Sequence, residues 1–332
     1  MRTCALLLVL GCGGATAAPS EPTEPTTIGA SDELRAEDAR GAEGPVGAAL
    51  AAMPEADLTT AEGLEVLSFS AASALAMATF TLALGGHAEE DVNECFVVER
   101  SESDRGQRTS VRANDCPETQ TPERRVSGEM VLEKRQSSCG EWTSLTFRPW
   151  TIVDGRPCGS SGSPKGTRTF EGRIVADECA GTMVLDLVLG GDGLQERNGE
   201  CDPIRQTALR YRLGHDDDAL EGGSPLSGRG EVGIAGVGRA TVETIDEVIG
   251  RETCGTEAVS GLTRARSGGH LAEVSYDGAS ECTDPGSAPL ALDGEPAGQV
   301  AYACAAAGST TGAAALPLAF ALLSLRRRRP AG

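Results

Sequence analysis

The chain has 332 residues, a formal net charge of −20, 43 glycines and only 3% aromatic residues. With 49 acidic against 29 basic side chains there is no basic face for a phosphate backbone, and nucleic acid is not expected as a partner. Lys134 and Lys165 are the only lysines; an arginine bias beside so much alanine and glycine reads as genome composition and carries no functional weight.

The first segment, 1–17, is ordered as an export signal: the charge of Arg2, the apolar stretch Ala5 to Leu10, then Gly11-Cys12 at once. Val9-Leu10-Gly11-Cys12 resembles a bacterial lipobox, and the resemblance implies that Cys12 is acylated and becomes the first residue of the mature chain. A secretory cut after Ala17, with Ala15 and Ala17 as the small residues, is the competing reading. Residues 18–63 follow as an acidic segment rich in Ala, Pro, Thr and Gly, with Asp32, Glu33, Glu37 and Asp38 among its acids and only Arg35 and Arg40 against them. So little apolar surface cannot offset the entropy of ordering, and a disordered linker is expected there, either an extended stalk or a merely tolerated spacer.

Thr59 and Glu62 have the spacing of a capping box in front of an apolar run. Leu64 to Leu84 carries Glu65 as its one charge and ends at Gly85-Gly86, which predicts an apolar helix of about 20 residues within 64–86. Apolar all round, it is expected to be buried against a sheet rather than in a membrane. Thr79 to Leu82 could instead open a strand.

Over 87–303 the period changes to two. Val126, Gly128, Met130 and Leu132 alternate with more polar neighbours, as do Phe170, Gly172 and Ile174, then Met183, Leu185, Leu187 and Leu189, then Leu209, Tyr211 and Leu213. Val232 with Ile234, Val274 with Tyr276, and Leu290 with Leu292 repeat the pattern, which marks strands with one face on a core. Asp154-Gly155, Asp192-Gly193, Asn198-Gly199, Asp277-Gly278 and Asp293-Gly294 are candidate hairpin turns. The expected fold is mainly β: an antiparallel meander forming a curled sheet, a sandwich or an irregular barrel around the helix, stapled by disulfides.

The staples would come from Cys95, Cys116, Cys139, Cys158, Cys179, Cys201, Cys254 and Cys282, an even set in an exported chain. None has the spacing of a zinc knuckle. Eight cysteines allow on the order of a hundred connectivities. Pairing of sequence neighbours, 95 with 116, 139 with 158, 179 with 201 and 254 with 282, is the expectation, each loop worth up to about 3 kcal/mol by chain entropy.

Chemistry-bearing motifs are sparse. His87, His215 and His270 are far apart. Asp216, Asp217, Asp218 and Glu221 form the one acidic run that could hold calcium, although it lacks the alternation of a calcium loop. Gly228 to Gly233 fits GxGxxG literally, but a strand-like stretch follows where a helix is needed. The serines between Ser160 and Ser163 have no neighbouring base, and neither GxSxG nor HExxH occurs. Trp142, Phe147 and Trp150 are either core mass or a platform for carbohydrate. Arg124, Arg125, Lys134 and Arg135 are expected on a solvated strand face and edge.

The last segment, 304–332, runs from Cys304 through Gly308, Ser309 and Gly312 into an apolar stretch, Leu316 to Leu325, and ends on Arg326, Arg327, Arg328 and Arg329. Apolar residues abutting four guanidinium groups form a membrane stop, with the arginines kept inside. This order resembles the MYXO-CTERM sorting tails of surface proteins. The resemblance covers the tail alone and implies a sorting protease that recognises and cleaves it, with Cys304 as the fixed point of the motif and the product held at the cell surface. An uncut single-pass anchor is the alternative. Together these features predict an exported protein tethered to the cell envelope with a structural or interaction role, an extracellular partner the sequence does not identify, no cofactor and no catalysis. A small-ligand or calcium-binding module ranks second and an exported hydrolase third.

Overall fold

Strand alternation sets the architecture. The computed structural model describes residues 44–75, 77–78, 81–82, 94–103, 106–118, 121–159, 162–197, 200–214, 224–249, 258–276 and 286–302. A short helix α1, Pro45–Ala52, is followed by a 3-10 turn, Gly63–Ser68, and by helical residues within 71–82. The strands are β1 (Val97–Ser103), β2 (Gly106–Pro117), β3 (Arg124–Gln136), β4 (Glu141–Pro157), β5 (Pro164–Asp177), β6 (Thr182–Gly190), β7 (Leu194–Arg197) and β8 (Glu200–Pro203). They continue as β9 (Thr207–Gly214), β10 (Leu226–Ile234), β11 (Gly238–Ile249), β12 (Ala258–Ser267), β13 (His270–Tyr276), β14 (Gly286–Leu292) and β15 (Glu295–Tyr302).

Among the described residues thirteen strands form one antiparallel sheet in sequence order, with β6 beside β9 and the β7–β8 hairpin standing apart as a separate two-stranded ladder. The protein is therefore mainly β and a meander, as the alternation predicts. β1 and β15 are the two edges, and no ladder joins them among the described residues. The registers put apolar residues opposite one another on a single face: Met183 opposite Leu213, Leu185 opposite Tyr211, Leu187 opposite Leu209, and Leu132 opposite Leu145. Register shifts at Ala113/Cys116, Ser127/Glu129 and Phe147/Trp150 bend the strands. At one of them Gly128 takes φ +120, and a Cβ there would run into the Pro149 carbonyl.

One core follows this inner face from Val111 on β2 to Leu290 on β14 and includes Leu58, Val66, Ala71, Ala74, Leu75 and Ala78. The outer face carries a second, smaller core, where Val46 and Leu50 of α1, with Met53 just after it, pack on Ala208 of β9. Gly233 of β10 makes room for α1, because a Cβ there would lie 2.5 Å from the Met53 sulfur. The chain changes faces between them: Arg239 donates its N–H to the Pro54 carbonyl at 2.8 Å and accepts from the Ala56 N–H at 2.9 Å.

Several expectations are corrected. The disordered linker does not extend to residue 63: Val46, Leu50 and Met53, at helical spacing, bury α1, and Leu58 is fully buried. Residues 18–43 lie outside the described residues. The helix expected within 64–86 is broken, because the first turn is 3-10 and Phe69 is extended, with ψ 106. Ser70 restarts it through a reciprocal cap, its N–H donating to Ser73 Oγ at 2.7 Å and its Oγ accepting from the Ser73 N–H at 3.3 Å. Thr59 is not the cap: Asp57 accepts from the Thr59 N–H at 3.0 Å, and Thr60 Oγ accepts from the Gly63 N–H at 3.0 Å. Asp154-Gly155 is not a turn, since both residues lie inside β4. Asp293-Gly294 does turn β14 into β15, with φ of 53 and 84.

The cysteines pair as Cys95–Cys116, Cys139–Cys179 and Cys158–Cys201. The first is the neighbour pair; the next two overturn neighbour pairing. In a meander consecutive turns lie at opposite ends of the sheet, so the 17-residue β4 separates Cys139 from Cys158 by about 50 Å. Turns one strand pair apart share an end, and Cys139 and Cys179 have Cα atoms 5.4 Å apart. Cys254 and Cys282 lie outside the described residues.

Replacing Cys139 and Cys179 together by serine opens a link between residues 40 apart in sequence. Stability is expected to fall by about 4 kcal/mol in the chain-entropy model, read by denaturant unfolding under oxidising conditions. An unchanged midpoint would show that the register alone holds the two turns together.

Candidate functional site

Two clusters of polar side chains interrupt the apolar inner face. The first lies at the end of the sheet that carries the β4–β5 turn. Arg124 of β3 is directly opposite Asp154 of β4, and Asp154 is opposite Gly166 of β5. Asp154 Oδ2 accepts from Arg124 Nε at 3.1 Å and Arg156 Nη2 at 2.8 Å, and Oδ1 accepts from Arg156 Nε at 2.9 Å and the Arg156 N–H at 3.1 Å. Burial opposes the charge of Asp154, whose side chain is 6% exposed, but the hydrogen bonds from Arg156 and then Arg124 outweigh it and hold the carboxyl well below its ordinary range. Arg124 also reaches Glu118 Oε2 at 3.2 Å through Nη1. Arg168 of β5, opposite Ile152, completes the cluster. Burial, then the Arg124 guanidinium, lowers the pKa of Arg168 from its ordinary value.

The second cluster clamps the inner helical segment. Thr244 and Glu247 on β11 accept the Ala71 and Ala72 N–H groups at 3.1 and 2.9 Å. Tyr211 donates to Thr244 at 3.0 Å, and Tyr276 to Thr263 at 3.2 Å, so hydroxyls from β9, β11, β12 and β13 form one network. Glu247 is 2% exposed, and burial raises its pKa to about 7 against the hydrogen bonds from Ala72, Ser70 and Ala71. A carboxylate at a helix start accepts orphan N–H groups and meets the positive end of the dipole, which explains its position here.

The residues singled out in the sequence fall differently. Cys12, Cys304, Arg326 to Arg329, His87, His215, and Asp216, Asp217, Asp218 and Glu221 lie outside the described residues. GxGxxG lies in strand β10, where a Cβ on Gly228 would meet the Tyr211 ring at 2.6 Å; these glycines serve packing. Phe147 and Trp150 are core residues, whereas Trp142 lies under Arg135, 4.3 Å from the guanidinium carbon. There is no shared aromatic platform. Arg124 is not on a solvated edge, since β3 is an interior strand and the side chain is 22% exposed. Arg125 is exposed and paired with Asp115 at 2.6 Å. His270 Nδ1 lies 2.8 Å from Asp293 Oδ2, but Ser267, across from the ring, gives its hydroxyl to the Arg239 carbonyl at 2.8 Å. Sequence reading missed both polar clusters, although Arg168 and Asp154 stand in phase with the apolar residues of their strands.

No family model, curated protein or solved structure matches the chain. The three disulfides among the described residues indicate an oxidising compartment, and no helix among those residues is long and apolar enough to cross a membrane.

The raised pKa of Glu247 makes stability fall with pH. The folded protein holds the Glu247 proton up to about 7, whereas the unfolded chain releases it near 4.5. The contribution is full below pH 4.5, declines across the window and is lost above pH 7, a difference of about 3 kcal/mol. Denaturant unfolding at a series of pH values should show this slope, and Glu247→Gln should flatten it. A slope that survives in the variant would assign the proton to another group.

Proposed function

We propose that the chain is an exported protein tethered at the cell envelope, where its β domain has a structural or interaction role rather than a catalytic one. The observation that carries this reading is cross-linking at both ends of the sheet: Cys139–Cys179 at one end, Cys95–Cys116 and Cys158–Cys201 at the other. Such staples suit a domain exposed to an oxidising medium. The order of charge, apolar run and Gly-Cys at residues 1–12, and of Cys304, apolar run and arginines at the tail, supports a tether through the termini and processing by a sorting protease. An extracellular macromolecule is the expected partner.

A ligand-binding module is the second reading, and one observation favours it: the inner face carries more guanidinium groups than its buried carboxylate can satisfy. Hydrolysis ranks below both. The exposed His270–Asp293 pair ties the β14–β15 turn to β13, because the Leu271 N–H also donates to Asp293 at 2.9 Å.

Replacing Cys304 by alanine is expected to release the protein from the cell surface or trap its precursor, read by fractionation and mass spectrometry. Unchanged processing and surface retention would sink the tail assignment. A non-reducing peptide map of the native protein should yield the three cross-linked peptide pairs and a C-terminus near Cys304. Free thiols with an intact Arg326 to Arg329 tail would overturn the surface reading.

A further inference from the structure

Three guanidinium groups meet one carboxylate at an end of the inner face, and one of the three is left over. Asp154 is saturated: each of its oxygens already accepts two hydrogen bonds, from Arg156 alone on Oδ1 and from Arg124 and Arg156 on Oδ2. The neighbouring carboxylates belong to the other two arginines. Glu118 bonds Arg124, and Glu118 and Glu123 both act on Arg156, while Arg168 feels Arg124, Asp154 and Arg156. Arg168 stands in the inner-face phase of Phe170 and Ile174, two residue pairs along the ladder from Asp154 and diagonal to it. It is half-buried, and among the described residues its guanidinium makes no hydrogen bond and no ion pair.

A half-buried guanidinium without an acceptor is unfavourable, because its N–H groups have lost part of their water and gained nothing in exchange. It cannot escape by losing its proton, since an arginine stays charged at any physiological pH. The charge therefore persists, and the fork of planar donors remains open. The surroundings suit a small bidentate acceptor: the fork is flanked by the second and third arginines, and Trp150 and Phe170, paired across β4 and β5, adjoin it. The β4–β5 turn beside it is fixed by Cys158–Cys201 and by the Cys158 N–H to Ser163 carbonyl bond at 2.7 Å.

We propose that Arg168, with the remaining donors of Arg156, binds a compact oxyanion such as sulfate, phosphate or the carboxylate of an acidic sugar. A guanidinium pairs with such groups through two parallel N–H to oxygen bonds. The overall charge of −20 repels anions at long range, so recognition rests on short-range contacts with a compact ligand. The site is a property of the folded domain and does not depend on where the chain is delivered.

The test is thermal melting and calorimetric titration of the purified oxidised protein with sodium sulfate, sodium phosphate and sodium glucuronate, against sodium chloride at matched ionic strength. Binding to the folded form should raise Tm with at least one oxyanion beyond the chloride control. Arg168→Gln should weaken that binding about tenfold or more, and Arg173→Gln, an exposed arginine on the opposite face of the same strand, should leave it unchanged. A response to all three anions marks a general oxyanion site; a response to glucuronate alone marks the carboxylate of an acidic sugar. Equal responses to chloride and every oxyanion would overturn the proposal, as would retention of the response in Arg168→Gln. A large loss of Tm in anion-free Arg168→Gln would overturn it too, because it would show that the chain itself supplies the acceptor.

Discussion

The two hydrogen bonds between Arg239 and the 54–56 backbone mark where the chain passes from the outer face of the sheet to the inner one, and the rest of the domain depends on that crossing. An antiparallel meander with one apolar face cannot be left half uncovered: from β2 to β14 it presents Val111, Leu145, Ile174, Leu185, Leu209, Val242 and Leu290 on the same side. The segment from Leu58 to Ala78 supplies the cover, after α1 has filled a patch on the other side. A crossing at the β10–β11 turn lets a single continuous stretch serve both faces. Gly238, at φ +123, is what allows it, since a Cβ there would overlap Ala56.

Small residues then decide how the cover sits. Ala71, Ala74 and Ala78 bring the inner helical segment close to the strands, and close approach leaves its first N–H groups without water. Thr244 and Glu247 answer that need from β11. A buried carboxylate is costly, but here the alternative is a buried helix start with orphan donors, which is costly too. The network through Tyr211, Thr263 and Tyr276 fixes direction as well as energy, because hydroxyls accept and donate only in a defined geometry whereas apolar packing alone would tolerate sliding.

Much of this was legible in the sequence wherever a single period governed. Met183 to Leu189 and Leu209 to Leu213 read as one-sided strands and are so, because uninterrupted alternation on neighbouring strands leaves one register that buries both. Legibility failed where two signals competed. Leu64 to Leu84 looked like one helix because Phe69 and Ser70 carry no strong breaker, and the reciprocal Ser70–Ser73 cap uses serine where glutamate is the familiar sign. Cys95–Cys116 follows sequence adjacency, but Cys139–Cys179 and Cys158–Cys201 do not, because a meander brings together every second turn and adjacency in sequence is not adjacency in space. The arginine cluster was hidden by bulges: the shift at Phe147/Trp150 moves Asp154 into the inner phase, and only the register reveals that Arg124, Asp154 and Arg168 share a face.

The two polar clusters show opposite imbalances, and the difference bears on function. At Glu247 the acceptor is buried and the chain supplies the donor, the Ala72 N–H, with Thr244 beside it taking the Ala71 N–H, so the arrangement closes on itself and serves the fold. At Asp154 donors outnumber acceptors, and saturating the carboxylate still leaves the Arg168 fork unanswered among the described residues. Position 168 is in phase with Phe170 and Ile174, and a half-buried charge there with no partner is unfavourable for the fold, because part of its hydration is lost without replacement. Arginine there is therefore difficult to explain by packing, and its open donor fork is better explained as part of a binding surface.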